Sequence, residues 1–458
     1  MARESKPVPK TANVKRPSRS VFQLFIRNES FAGVLLLFFA ILAIILANVP
    51  ALAPFHNIWN VEAGFKFGGF ILQMPLLHWI NDALMAVFFL NVGLEIKREM
   101  LVGELAEPKQ AMLPIFAALG GMVFPAVIYT LFNHGTVSAN GWGIPMATDI
   151  AFAICVLTLL GKKCPLGLKV FLTALAIVDD LGSIIVLAVF YPTHALHLNF
   201  LIYAAIVFIL LICLNKAQVK YYLPYVLLGV VLWYFVYKSG IHATIAGVLL
   251  AITIPAKTRI NEVKFHAAAS HLIEQFRASS NGQVDVLSNS KQLNVLHQLN
   301  ERVDAINPLM NKFQVVLARP VNYFIMPLFA LSNAGVAFSS DVFGSQFLPT
   351  IGFGIFLGLL LGKPLGIFSF SWLAVKLGFA KLPAGTLWRQ LFAMGIIGGI
   401  GFTMSLFIDN LAFTNPEMIN VGKAAVLITS VVAALVGMLA VGITGKEKPV
   451  KEPSGSTE

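Results

Sequence analysis

Apolar residues in this chain come in long runs broken by short polar connections, and twelve runs approach the length of about 20 residues that a helix needs to cross the hydrocarbon core of a bilayer. They lie near residues 31–48, 77–96, 111–132, 142–161, 167–191, 198–215, 221–238, 241–256, 320–338, 349–376, 387–411 and 421–443. The connections alternate in charge. Lys97, Arg98 and Lys109 follow the second run, and Lys162, Lys163 and Lys169 follow the fourth. Lys216 and Lys220 follow the sixth, and Lys376, Lys381 and Arg389 the tenth, whereas NHGTVSAN, YPTHALH and SSDVFGSQ hold no Lys or Arg. Basic loops stay on the cytoplasmic side, so the pattern predicts about twelve spans, with the basic segment 1–30 and the tail 444–458 both cytoplasmic. Residues 31–443 form the membrane domain.

Two connections are long. Residues 49–76 contain VEAGFKFGGFIL, whose alternation and glycines predict a small periplasmic β-hairpin. Residues 257–319 form a long cytoplasmic loop. Within it Phe265, Ala269, Leu272 and Phe276, and then Leu293, Leu296, Leu299, Val303, Ile306 and Met310, recur at helical spacing. Two amphipathic helices joined by SSNGQ are expected there, lying on the membrane surface or docking a partner.

Composition narrows the class. Hydrophobic residues make up 57% and charged ones 12% of 458 residues, with a mean hydropathy of +0.78, against roughly 25% charged in a soluble domain. A net charge of +11 would suggest nucleic acid in a soluble chain; here the bases sit in membrane loops. Met1–Ser30 has no apolar core of a cleavable signal. Cys155, Cys164 and Cys213 lack metal-ligand spacing.

The chemistry lies inside the runs. Asp179 and Asp180 sit mid-way along the fifth, in ALAIVDDLGSI, where burying even one charge costs roughly 3 kcal/mol on insertion scales. Lys363 is near the middle of the tenth, in LGKPLGI, and needs a partner for the same reason; the aspartates are the obvious ones. Neighbours on a helix point about 100° apart, so one aspartate can face the lysine and the other an ion cavity. The fourth run carries Pro145, Thr148 and Asp149 in IPMATDIAFAI. The eleventh carries Gly395, Gly398, Gly399 and Gly401 ahead of Thr403 in GIIGGIGFTMSLF. Two interrupted helices in separate halves of a chain point to a transporter built on inverted repeats, with Asp149 able to balance exposed helix ends. Asp82 opens the second run; Glu95 and Glu99 close it, as a cation-attracting rim or a mutually paired helix end. His242 begins the eighth.

Together FFLNVGLEIKRE, GIPMATDIAFAI, ALAIVDDLGSI, KSGIHATIAGV, PLFALSNAGV, LGKPLGI and GIGFTMSLFI resemble the bacterial NhaA-type sodium/proton antiporters, in family order over most of residues 20–445. The resemblance implies an inner-membrane homodimer, with the 49–76 hairpin as a candidate contact. It also implies discontinuous helices crossing near Thr148 and near Gly398–Thr403. It makes Asp180 the main ligand of a transported Na⁺ (or Li⁺) and Asp179 its neighbour paired with Lys363, and it links Glu95, Glu99 and His242 to pH response. Two departures stand out: the length of 257–319, and Asn91 where an apolar residue is expected.

Secondary active exchange of Na⁺ for H⁺ is therefore expected, electrogenic and pH-regulated, with no cofactor, no nucleic acid and no enzymatic step. Burial and mutual repulsion on one side and the Lys363 charge on the other pull the protonation of the pair in opposite directions, so a proton and a cation compete for the same carboxylates. An intramembrane aspartyl protease is the alternative from another class, with Asp149 and Asp180 as its two carboxylates; a passive cation channel is a third.

Overall fold

The computed structural model describes residues 29–445 except 53–54, 56, 68–69, 162–163, 193–195, 259, 281–287, 339 and 384. The basic segment 1–28, Lys162, Lys163, most of SSNGQ and the tail from 446 lie outside the described residues.

Among the described residues, ten helical stretches are long and apolar enough to cross a membrane, and a bent pair makes an eleventh. The first three are α1 (Glu29–Asn48), α2 (Leu76–Val102) and α3 (Pro108–Asn133). The fourth span begins with a 3₁₀ stretch, Ala139–Met146, breaks at residues 147–149 and continues as α4 (Ile150–Leu160). Next come α5 (Leu166–Phe190), α6 (Leu198–Lys216) and α7 (Tyr222–Ser239), followed by the short α8 (Ile245–Thr253). Two polar helices, α9 (Glu262–Ala278) and α10 (Ser290–Ile306), precede α11 (Leu309–Asn333) and α12 (Leu348–Lys376). The chain closes with α13 (Trp388–Gly398) and α14 (Phe402–Ala412), bent by 49° relative to each other, and α15 (Pro416–Thr444).

Several spans, α1, α6 and α7 among them, are apolar all round and bury only a minor part of their surface. On α1, Leu36, Ala40 and Ala43 are buried while Phe38, Ile41 and Ile45 are exposed. A helix that turns an apolar stripe outward in this way is solvated by lipid. The eighth run yields only nine helical residues, roughly 13 Å. Gly240 ends α7 with φ +88°, a conformation that favours glycine, and residues 241–244 are irregular. Lys97 then satisfies the end of α8, its Nζ donating to the carbonyls of Ala251, Ile252 and Ile254 at 3.3, 2.7 and 2.5 Å.

The expected hairpin is present. Strand β1 (Glu62–Phe67) pairs antiparallel with β2 (Phe70–Pro75), Glu62 opposite Pro75 and Phe67 opposite Phe70. The Trp79 indole donates to the Ala63 carbonyl at 2.8 Å and ties the hairpin to α2. In α10, Gln292 and Val295 are buried, whereas Leu296 and Val303 are exposed. That differs from the stripe expected at 293, 296, 299 and 303. Gln292 faces inward because its amide donates to the Phe276 carbonyl of α9, so a polar bond, which hydrophobic periodicity does not register, sets the rotation of the helix.

The connections sort by charge in space. Glu104, Lys109, Leu166, Lys381 and Pro383 line one groove of about 670 Å³, so the connections after α2, α4 and α12 share one end of the bundle. At the other end, the Tyr191 hydroxyl donates to the Asn140 carbonyl and the Asn48 amide to Val336.

Candidate functional site

The two interrupted spans cross where their helices break. The Asp149 backbone N–H donates to the Ile400 carbonyl at 2.7 Å, stitching the breaks together. The N-termini of α4 and α14 both point into the crossing, and one side chain serves both. Asp149 Oδ1 accepts from Phe152 N at 2.9 Å; Oδ2 accepts from Thr403 N at 3.1 Å and Thr403 Oγ1 at 2.6 Å. An N-terminal carboxylate balances the partial positive charge of free amide groups; here it does so for two helices at once. The Ser405 hydroxyl donates to the Ile144 carbonyl at 2.7 Å, holding α14 against the 3₁₀ stretch.

The C-terminal ends at the crossing carry free carbonyls, and cationic or hydroxyl donors meet them. Lys363 donates to the Met146 carbonyl, and Thr148 Oγ1 lies 2.9 Å from the Gly398 carbonyl. Lys363 reaches this point because α3 and α12 touch closely: a Cβ built on Gly120 would lie 2.1 Å from the Gly366 carbonyl oxygen.

Lys363 Nζ also pairs with Asp179 Oδ2 at 2.5 Å, with both side chains essentially unexposed. Thr148 Oγ1 is 2.7 Å from the same oxygen, so its single hydrogen can serve either Asp179 or Gly398. Asp180, 2% exposed, is different. Its Oδ1, the Asp179 Oδ1 and the Ser183 hydroxyl have no hydrogen-bond partner among the described residues. Asp180 lies within electrostatic reach of Asp179, Asp149, Glu95 and Lys363. Buried polar atoms are nearly always bonded, and three unbonded acceptor oxygens within one turn of α5 suit a small cation or a proton. The groove of about 670 Å³ extends along α5 to Ala174, five residues or roughly 7.5 Å of helix rise before Asp179.

The remaining expected residues divide. Gly398, Gly399 and Gly401 lie at the crossing and are buried. Glu95 faces the cluster electrostatically, whereas Glu99 is held by Arg98 at 3.0 Å and by the Glu104 N–H. Asp82 is not brought to the cluster: its carbonyl accepts from the Trp233 indole, and it stands thirteen residues, roughly 20 Å, from Glu95 along α2. His242 is buried in the irregular segment, its ring 5.6 Å from that of Phe407. Asn91 is half-buried on α2. Sequence reading passed over Ser183, Ser405 and two further ionisable residues, the buried Asp409 and the half-buried Lys423; an ionisable residue inside an apolar run would have flagged the last two.

A polytopic helical bundle with two broken spans crossing at buried carboxylates has the architecture of a secondary transporter. The chain belongs to the Na⁺/H⁺ antiporter 1 family, whose model matches residues 23–441. It is 47% identical over 430 residues to the Na⁺/H⁺ antiporter NhaA of Wolinella succinogenes, covering 93% of this chain and 94% of that one. The NhaA of Oleidesulfovibrio alaskensis is 44% identical over 428 residues, covering 93% and 95%. That of Helicobacter pylori strain G27 is 42% identical over 445, covering 96% and 100%. Among solved structures, a sodium proton antiporter from Methanocaldococcus jannaschii aligns over 93% of this chain and 98% of that one, at 12% identity and a TM-score of 0.41, a likeness too loose to build on. The family is one of transporters, not enzymes, which sets the protease alternative aside.

Proposed function

We propose that this protein exchanges Na⁺, and also Li⁺, for protons across a bacterial inner membrane by alternating access around Asp179 and Asp180. The observation that carries the reading is the contrast within the aspartate pair. Asp179 is committed to Lys363 and Thr148, whereas Asp180 presents an unbonded oxygen beside the Ser183 hydroxyl. In this reading Asp180 is the main ligand of the transported cation, with Asp179 and Ser183 beside it. Asp149, Thr148, Thr403 and the glycines at 398, 399 and 401 support the crossing. Glu95, Glu99, His242 and Asp82 are assigned to ion entry or pH response.

The exchange follows from competition. A cation needs the ionised carboxylate, and a proton removes it, so the site holds one or the other. The groove at the basic-loop end, which basic-loop preference makes cytoplasmic, admits Na⁺ to the ionised pair. Rocking about the crossing exposes the site to the opposite face, where a proton displaces the ion. Both termini are cytoplasmic in this reading. If more protons enter than cations leave, each net charge gains roughly 2.3 kcal/mol per 100 mV of membrane potential. The hairpin Glu62–Pro75 supplies a contact for a homodimer.

Sodium-driven pH change in proteoliposomes tests the reading. Robust exchange by Asp180→Asn defeats the assignment of the site, and single-channel currents in place of exchange defeat antiport itself. Competition also predicts that the half-saturating Na⁺ concentration falls as pH rises, by up to roughly tenfold per unit for one competing proton.

A further inference from the structure

Asp409 on α14 and Lys423 on α15 stand apart from the cluster at the crossing. Asp409 is 0% exposed, and neither carboxylate oxygen has a hydrogen-bond partner among the described residues. An isolated ionised carboxylate in apolar surroundings is very costly, so the arrangement seen suits the neutral acid, and the ionised form needs a cation. Lys423 lies within electrostatic reach of Asp409, yet no direct ion pair joins the two.

Gly422 lets α15 approach the carboxylate closely. The Asp409 carboxylate fills the space that a side chain at Gly422 would take, since a Cβ built there would lie 1.9 Å from Oδ1 and 2.7 Å from Cγ. Lys423 is the next residue. Asp409 is three residues from the end of α14 and Lys423 seven from the start of α15. Both are therefore within about 5–10 Å of the connection Phe413–Asn415 along their helices, at the end of the bundle opposite the groove.

Among the described residues, no other charged group competes for Asp409. From α3, Tyr129 is within reach, but its hydroxyl donates to the Ser138 carbonyl at 2.9 Å. The 3₁₀ stretch Ala139–Met146 carries no titratable side chain. From α11, the uncharged Asn333 bonds to Asn410. His242 and Asp149 meet α14 at Phe407 and Thr403, and Glu417 is held by Ser345 at 2.6 Å.

We propose that Asp409 is a second proton-carrying carboxylate of this transporter, which holds its proton in the buried, unpartnered position and releases it when Lys423 closes onto it as an ion pair. The carboxyl O–H bond breaks, the proton leaves to water at the Phe413–Asn415 face, and the carboxylate keeps the electron pair opposite the ammonium. This rests on the exchange reading and adds a proton site on the far side of the crossing from the groove.

The test is Na⁺-dependent exchange across a pH series in proteoliposomes of the full chain. Lys423→Met removes the partner of the ionised carboxylate, so the half-maximal pH should rise by about one unit, the low end of what a nearby opposite charge does. In an Asp409→Asn background the same lysine substitution should change nothing, an epistasis that a packing role for Lys423 does not produce. Asp409→Leu, of similar volume, stands in if the Asn variant fails to accumulate. A Lys423→Met profile that superimposes on wild type, or a shift that persists without Asp409, overturns the proposal. A wild type that exchanges nothing removes the exchange reading and this proposal with it, whereas exchange with unmoved profiles removes this proposal alone.

Discussion

Asp149 and Asp180 are chemically identical, equally buried carboxylates in the same cluster, and the fold treats them in opposite ways. Asp149 accepts three hydrogen bonds and joins the N-termini of two broken helices. Asp180 keeps an unbonded oxygen beside Asp179 and Ser183. Hydrogen bonds to a charged group stabilise the ionised form and fix its geometry, which makes Asp149 a poor site for a group that must change partners every cycle. An under-bonded carboxylate is the reverse: costly to keep empty, and open to a proton or a cation. Membrane depth alone does not distinguish the two carboxylates; the count of unmet acceptors does.

The contrast is sharpest in transport. Asp180→Asn should depress exchange by more than the roughly 100-fold that loss of a supporting partner costs a metal site, while leaving thermal stability in detergent almost unchanged. Comparable exchange in that variant would erase the distinction. Lys363→Met strands Asp179 as an uncompensated buried charge and should destabilise by about 3–5 kcal/mol, read as a lowered melting temperature. Asp149→Ala should cost about 3 kcal/mol, since charge-assisted bonds to two helix ends are lost together. A loss no larger than that of an exposed residue would mean that the crossing is held elsewhere. Thr148→Val removes one hydroxyl shared between Asp179 and Gly398 and should cost about 1 kcal/mol. Ser183→Ala should be neutral to stability within about 0.5 kcal/mol, because its hydroxyl has no partner among the described residues to lose. A several-fold rise in half-saturating Na⁺ for that variant would place Ser183 among the cation's ligands.

Much of the bundle was legible because its signals are local. Ten of the twelve runs appear as continuous or once-broken spans and the eleventh as a bent pair, since length and hydropathy belong to each segment by itself. The exception, 241–256, shows the limit: its composition suits a span, but Gly240 and the irregular residues after it leave a nine-residue helix closed by Lys97. The rotation of α10 was misjudged for a related reason, because Gln292 turns inward to bond α9. In the site, the Asp179–Asp180 pair and Lys363 stood out as charges in apolar runs. The resemblance of seven motifs to a known family assigned Lys363 to Asp179; the residues alone left that choice open.

By itself the sequence determined which segments enter the membrane and which ionisable groups they carry there, because the cost of water-to-lipid transfer is summed residue by residue. Only the tertiary structure decided what each charge meets. Lys363 and Asp179 are 184 positions apart, and Asp149 and Thr403 are 254. Whether such groups touch depends on how helices cross and where glycines let them approach, which is a property of packed surfaces rather than of any one segment.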